Sequence, residues 1–201
     1  MAIIMVGGHS RNVGKTSVIA GLIAALPAYN WAAFKITQFG HAGHPEGCDA
    51  SDGASWRITQ ESNCSGKGDT SRFLAAGAKA AFLVETAGGR LPEAMPAIQE
   101  KLAESENAII ESNSILEFLR PDLYLMVLDP AIGDFKTSAQ TYLDRADAVV
   151  LHDSGTPRWQ AIAADLIAAR PMFRIFPPSY VNADLVGFVS QRLKVKDGSC
   201  A

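Results

Sequence analysis

Seven short apolar runs recur along the chain: AIIMVG, WAAFKI, KAAFLVET, NAIIES, LYLMVLD, ADAVVLHD and MFRIF. Runs of this length and composition read as strands buried on both faces, which is the environment of a parallel sheet covered by helices on either side. Between them the hydrophobic period lengthens. In GKTSVIAGLIAAL, Val18, Ile19, Leu22, Ile23 and Leu26 share one helical face and Pro27 stops the run; PEAMPAIQEKLAES and PRWQAIAADLIAAR are patterned similarly. Alternating strands and helices predict an α/β fold, a three-layer sandwich around a mostly parallel, roughly seven-stranded sheet.

The rhythm breaks from Thr37 to about Lys67, where no run reads as a strand. A stretch this long without secondary structure is expected to be functional, so the pattern predicts an inserted functional loop at about 37–68, with a short helix around GASWRITQE. No long-period repeat and no linker divides the 201 residues, which predicts a single domain over 1–201. A net charge of -3 with 48% apolar and 19% charged residues gives no electrostatic reason to expect nucleic acid. The apolar start MAIIMV runs straight into glycines and is too short for a signal peptide or a membrane span, so the expectation is a cytoplasmic protein with no membrane partner. Three cysteines, Cys48, Cys64 and Cys200, without an export signal point to thiols or metal ligands rather than to a disulfide framework.

The stretch VGGHSRNVGKTSV departs from the common G-x4-GK[ST] phosphate loop, because five residues separate Gly8 from Gly14 and His9 stands where the first glycine would be. The physics needs only a strand, a turn whose N–H groups converge, and a helix N-terminus carrying Gly-Lys-Thr. All three are present. Gly8, His9, Ser10, Arg11, Asn12, Val13, Gly14, Lys15, Thr16 and Ser17 are therefore the candidate phosphate-binding residues of a P-loop NTPase-type fold. In that role Lys15 reaches the β- and γ-phosphates of ATP or GTP, and the Thr16 hydroxyl binds Mg²⁺. No N-K-x-D motif is present to select guanine.

The G-x5-V-G-K-[ST] spacing of GHSRNVGKT resembles that of dethiobiotin synthetase and the cobyrinic acid diamide synthases, P-loop proteins whose loop carries one extra residue. FKITQFG is similar to the end of the second strand in dethiobiotin synthetase, where a lysine contacts substrate and phosphate; Lys35 matches it, with Ile36 in place of a proline. GKGDTSRFLAAGAKAAFLVET and NAIIESNS resemble segments of the molybdopterin-guanine dinucleotide biosynthesis protein B family, with Gly68 additional and Ser112 in place of a glycine. These resemblances place the chain in the broad class that includes the MinD-type ATPases, whose signature lysine falls here at Ser10, beside Arg11. They imply nucleotide-dependent chemistry in cofactor metabolism and two subunits sharing a site as a homodimer.

Glu111 ends the run NAIIE at the carboxyl edge of the sheet, where open α/β folds bind ligands, and is the candidate Walker B-type acid for Mg²⁺. Asp69 begins the helical stretch DTSRFLAAGA, which suits an N-cap; the family match makes it a second candidate near Mg²⁺ or the attacking group. Arg72 lies one turn later, facing phosphate or solvent, and Glu85 ends another strand as a weaker candidate. His152, Asp153 and the backbone from Ser154 to Thr156 follow a buried strand and precede a helix beginning near Pro157, which makes them candidate base contacts. His41, His44 and Cys48 have the spacing H-x2-H-x3-C, and Cys64 follows in the same loop, so these four form a candidate tetrahedral Zn²⁺ site; phosphate contact is the competing use of His41.

The expected function is an Mg²⁺-dependent enzyme that hydrolyses a nucleoside triphosphate or transfers its phosphoryl group, with Lys15, Lys35, Glu111 and Asp69 as catalytic candidates and a small anionic substrate as partner. The alternative is an accessory protein in which the triphosphate switches the 37–68 loop during metal or molybdopterin cofactor delivery.

Overall fold

The AIIMVG run forms β1 (Ile3–Gly8), every residue of which is buried. Its side chains alternate between two cores. Ile4 and Val6 pack on one face of the sheet with Val18, Ile19, Leu22 and Ile23, whereas Ile3 and Met5 pack on the other with Leu91, Met95 and Ile98. That double burial is why the run carries no polar alternation, and it makes β1 a central strand of a three-layer sandwich. The computed structural model describes residues 1–39, 55–159 and 164–197.

All seven anticipated runs are strands. After β1 come α1 (Lys15–Ala25), β2 (Trp31–Phe39), β3 (Trp56–Gln60), α2 (Asp69–Ala75), β4 (Ala80–Ala87), α3 (Leu91–Ala103), β5 (Asn107–Glu111), β6 (Leu123–Leu128), α4 (Thr137–Tyr142), β7 (Ala148–His152), α5 (Ala164–Ala168), β8 (Met172–Ile175) and α6 (Ala183–Asp197). The sheet has eight strands in the order β3-β4-β2-β5-β1-β6-β7-β8, all parallel except β3. Helices α1 and α6 cover one face with Phe73 of α2, and α3 with Ala139 of α4 covers the other.

Three expectations change. The segment expected as a short helix around GASWRITQE is the strand β3, whose Trp56 and Ile58 pack on the core while Arg57 and Thr59 point out. It pairs antiparallel with β4, and Arg57 bonds Glu85 across the pair at 2.8 Å, so Glu85 serves the sheet edge. Gly68 rather than Asp69 caps α2, and Asp69 is its first helical residue. The C-terminal helix α6, absent from the pattern reading, buries Leu185, Val189 and Leu193 beside α1. No described helix is long and apolar enough to cross a membrane.

Candidate functional site

The carboxyl ends of β1, β2, β5 and β6 meet where the chain's direction of winding reverses around β1, the place where open parallel sheets take ligands. Close backbone approach begins the site. A Cβ on Gly7 would lie 2.1 Å from Asn113 Oδ1 and 2.6 Å from the Tyr124 hydroxyl, so only glycine admits the Asn113 amide here. Asn113 then clamps Gly8 in both directions, accepting from its N–H at 3.0 Å and donating to its carbonyl at 2.9 Å.

The following turn contains two left-handed residues, Asn12 at φ 57° and Gly14 at φ 83°, which coil the backbone before α1. Helix α1 starts at Lys15 with no side-chain cap and no acidic residue in its first turn. Its first N–H groups and the positive end of its dipole are thus left for an anion.

His9 occupies the position of the missing glycine and is fully buried. Its Nε2 accepts the Asp129 N–H at 3.0 Å, which leaves the proton on Nδ1 to donate to the Asp134 carbonyl at 2.8 Å. Burial outweighs these bonds and holds the imidazole below its ordinary pKa, so it stays neutral. Its ring also packs against Phe135 and Trp159, at centroid distances of 5.0 and 4.9 Å. Ser10 Oγ donates to Asp134 Oδ2 at 2.7 Å, and the Lys136 N–H donates to the His9 carbonyl at 2.8 Å. The longer turn is therefore fastened to the segment after β6.

In front of the turn lies a cavity of about 870 Å³. Register brings its central charges together: Lys35 of β2 is the neighbour of Glu111 of β5 across the ladder. Lys35 donates to Glu111 Oε1 and pairs with Asp69 Oδ2 at 2.9 Å, while Thr16 Oγ1 donates to Glu111 Oε2 at 2.7 Å. Burial alone would lower the Lys35 pKa, yet Glu111 and Asp69 together raise it above the ordinary lysine value. Burial likewise works against Asp69 ionising, but Lys35, then the Thr16 hydroxyl and Arg72, keep its carboxyl below the usual range. Lys15 has no such partner. Burial, opposed by Glu111 but aided by Lys35 and Lys136, pushes its ammonium down to about 8, and its Nζ donates to the Ser10 carbonyl at 2.9 Å.

Of the residues anticipated from sequence, Gly8, Arg11, Asn12, Gly14, Lys15, Thr16, Ser17, Lys35, Asp69, Arg72 and Glu111 line this cavity. His9, Ser10 and Val13 are buried behind it. His152 is also buried, and its Nε2 donates to the Val13 carbonyl at 2.9 Å, supporting the turn from the rear. Asp153 pairs with Arg174 at 2.9 Å and Ser154 donates to Asp129 at 2.6 Å, so neither faces the cavity wall. Cys64 is an exposed free thiol, while His41, His44 and Cys48 lie outside the described residues. Among the described residues no group of three or more His, Cys, Asp or Glu is placed to hold a metal ion.

Pattern reading passed over Asn113, Lys136 and Tyr180, all on the cavity wall. The signal for Asn113 was its position just after the buried strand β5, at the same edge as Glu111; Lys136 lies further beyond β6, at the start of α4. Tyr180 had none, because its place beside Gly14 depends on a long-range packing of the chain after β8.

By sequence, no protein family and no curated protein matches the chain. By structure it is similar to HypB from Helicobacter pylori, solved in complex with nickel, at 15% identity and a TM-score of 0.54, over 97% of this chain and 88% of that one. It is also similar to the hydrogenase maturation factor HypB from Archaeoglobus fulgidus, at 11% identity and a TM-score of 0.52, over 96% and 90% of the two chains. The fold is that of the P-loop nucleoside triphosphatases.

Proposed function

We propose that this chain binds a nucleoside triphosphate with Mg²⁺ and hydrolyses it or transfers its terminal phosphoryl group to a small anionic substrate. The observation that carries the reading is charge. Among the described residues, five cations, Arg11, Lys15, Lys35, Arg72 and Lys136, line one cavity with two carboxylates, Asp69 and Glu111, in a protein whose net charge is -3. Such an excess beside an uncapped helix N-terminus suits a polyphosphate. The cavity's volume is in the range of sites for small organic ligands.

The donor set also suits Mg²⁺, since a threonine hydroxyl and a carboxylate oxygen converge at 2.7 Å. When bound, Mg²⁺ supplies charge neutralisation to the phosphates. Lys15, released from the Ser10 carbonyl, binds the β- and γ-phosphate oxygens. Lys35 holds the Glu111 and Asp69 carboxylates in place and keeps Asp69 ionised. Asp69, on the exposed rim of this group, is positioned to accept a proton from an attacking hydroxyl or water.

A second reading is a nucleotide-switched accessory protein for metal or molybdopterin cofactor delivery. What favours it is that Lys35 to Gln38 line the cavity and the His- and Cys-bearing segment follows directly in the chain. Partner-dependent affinity with slow basal hydrolysis distinguishes it from rapid turnover on adding an acceptor.

A thermal-shift screen of ATP and GTP with and without Mg²⁺ tests the core of the proposal. A ligand at about 100 times its Kd stabilises the native state by about 2.7 kcal/mol. Lys15→Ala should abolish that stabilisation while leaving the ligand-free protein folded. Absence of any triphosphate effect on the unmodified protein, or an equal effect on Lys15→Ala, refutes it.

A further inference from the structure

Lys136 follows β6 and stands on the cavity wall with Lys15 and Lys35. Lys35 is occupied by Glu111 and Asp69, and Lys15 by the Ser10 carbonyl. Among the described residues, no hydrogen bond or ion pair engages the Lys136 ammonium. The carboxylates that attract it, Asp134 and Glu111, are committed elsewhere, to Ser10 in the one case and to Thr16 and Lys35 in the other. This half-buried ammonium stands near two further lysines and Arg11, and the backbone of Lys136 is anchored. Its own N–H is bonded to the His9 carbonyl, and Asp129 and Asp134 are bonded to the His9 ring and Ser10. The segment 129–136 thus moves with the phosphate-type turn, and Lys136 keeps its place relative to that turn.

We propose that Lys136 is a third phosphate-binding lysine, which takes an oxygen of the terminal phosphoryl group from the loop after β6. The inference rests on the triphosphate reading above and extends it, because it assigns a residue that discriminates triphosphate from diphosphate. Lys15 serves both ligands through the phosphate they share. Lys136 serves the terminal group alone, and it supplies positive charge where negative charge gathers as that group leaves. Burial, with Arg11 and Lys35 beside it, lowers its ammonium's pKa, and an anion relieves that repulsion.

The test is calorimetric titration of the full chain with ATP, ADP, GTP and GDP in Mg²⁺, using the unmodified protein, Lys136→Gln and Lys136→Arg. Lys136→Gln should weaken triphosphate binding by about tenfold, the scale of one charge-assisted hydrogen bond, and leave diphosphate binding within about twofold. Lys136→Arg should recover most of the loss. An equal loss for both ligands, or no loss for either, overturns the assignment while the triphosphate reading stands. An unmodified protein that binds none of the four nucleotides overturns both.

Discussion

Lys15 is the residue whose protonation reports most directly on ligand binding. Its ammonium is pushed from an ordinary 10.5 down to about 8 in the ligand-free cavity. A depressed lysine is unfavourable when charged, so the ligand-free protein gains stability as pH rises from about 8 towards 10.5, where only the unfolded chain still holds the proton. A bound phosphate favours the charged form and reverses the preference. Triphosphate affinity should therefore fall as pH climbs through about 8, by at most about tenfold per unit, with proton uptake on binding. Calorimetry in buffers of different ionisation enthalpy measures that uptake; a flat affinity from pH 7 to 9.5 speaks against it. His9 has the same sign in a lower window. Burial depresses it below 6.5, so its contribution is complete above 6.5 and is lost as acid forces a proton onto it. His9→Asn should lower the melting temperature at neutral pH and flatten its decline as the pH falls below 6.5.

At the scale of elements, the unit that positions the site is β1, its turn and α1, braced by the residues after β5. Asn113 substitutes for a missing rung of the ladder, since it both donates to and accepts from Gly8. Asn113→Ala strands a backbone pair and should cost about 1–3 kcal/mol by denaturant titration. Gly7→Ala places a methyl group inside the Asn113 amide and Tyr124 hydroxyl and should destabilise by a similar or larger amount, about 1–3 kcal/mol. A Gly7→Ala protein as stable as its parent would mean the clamp is loose. This unit was largely legible in the sequence because strand, turn and helix are contiguous and each follows its own period. The clamp was not, because Asn113 and Gly8 are 105 residues apart. Strand β3 was missed for a different reason. Its alternation spans only Trp56 to Gln60, and its pairing with β4 needed knowledge of the edge it joins.

Across the whole molecule, charge is unevenly spread: a net acidic chain carries its cation-rich cavity at one edge of the sheet. Ligand-free, the cavity's lysines repel one another, and anions that enter it should stabilise the fold. Sulfate should therefore raise the melting temperature more than chloride at equal ionic strength, and Lys15→Ala should reduce that difference to the general salting-out effect. An unchanged difference in the variant would place sulfate's effect outside the cavity. The three-layer architecture was legible from the apolar runs because burial on both faces leaves a compositional mark that survives without any knowledge of topology. The opposing cations of the cavity were only half legible. Lys15 and Lys35 sit in motif-like surroundings, whereas Lys136 acquires its neighbours from the winding of β6 beside β1.

The fastening of the turn through His9 limits how this loop can be shortened. Deleting one residue from HSRNV would restore the common spacing on paper, yet it would remove or displace the anchor that holds segment 129–136 in place. Loop length and distant anchor are thus structurally coupled in this chain: shortening the turn disturbs the fastening, and removing the fastening leaves the longer turn without its support.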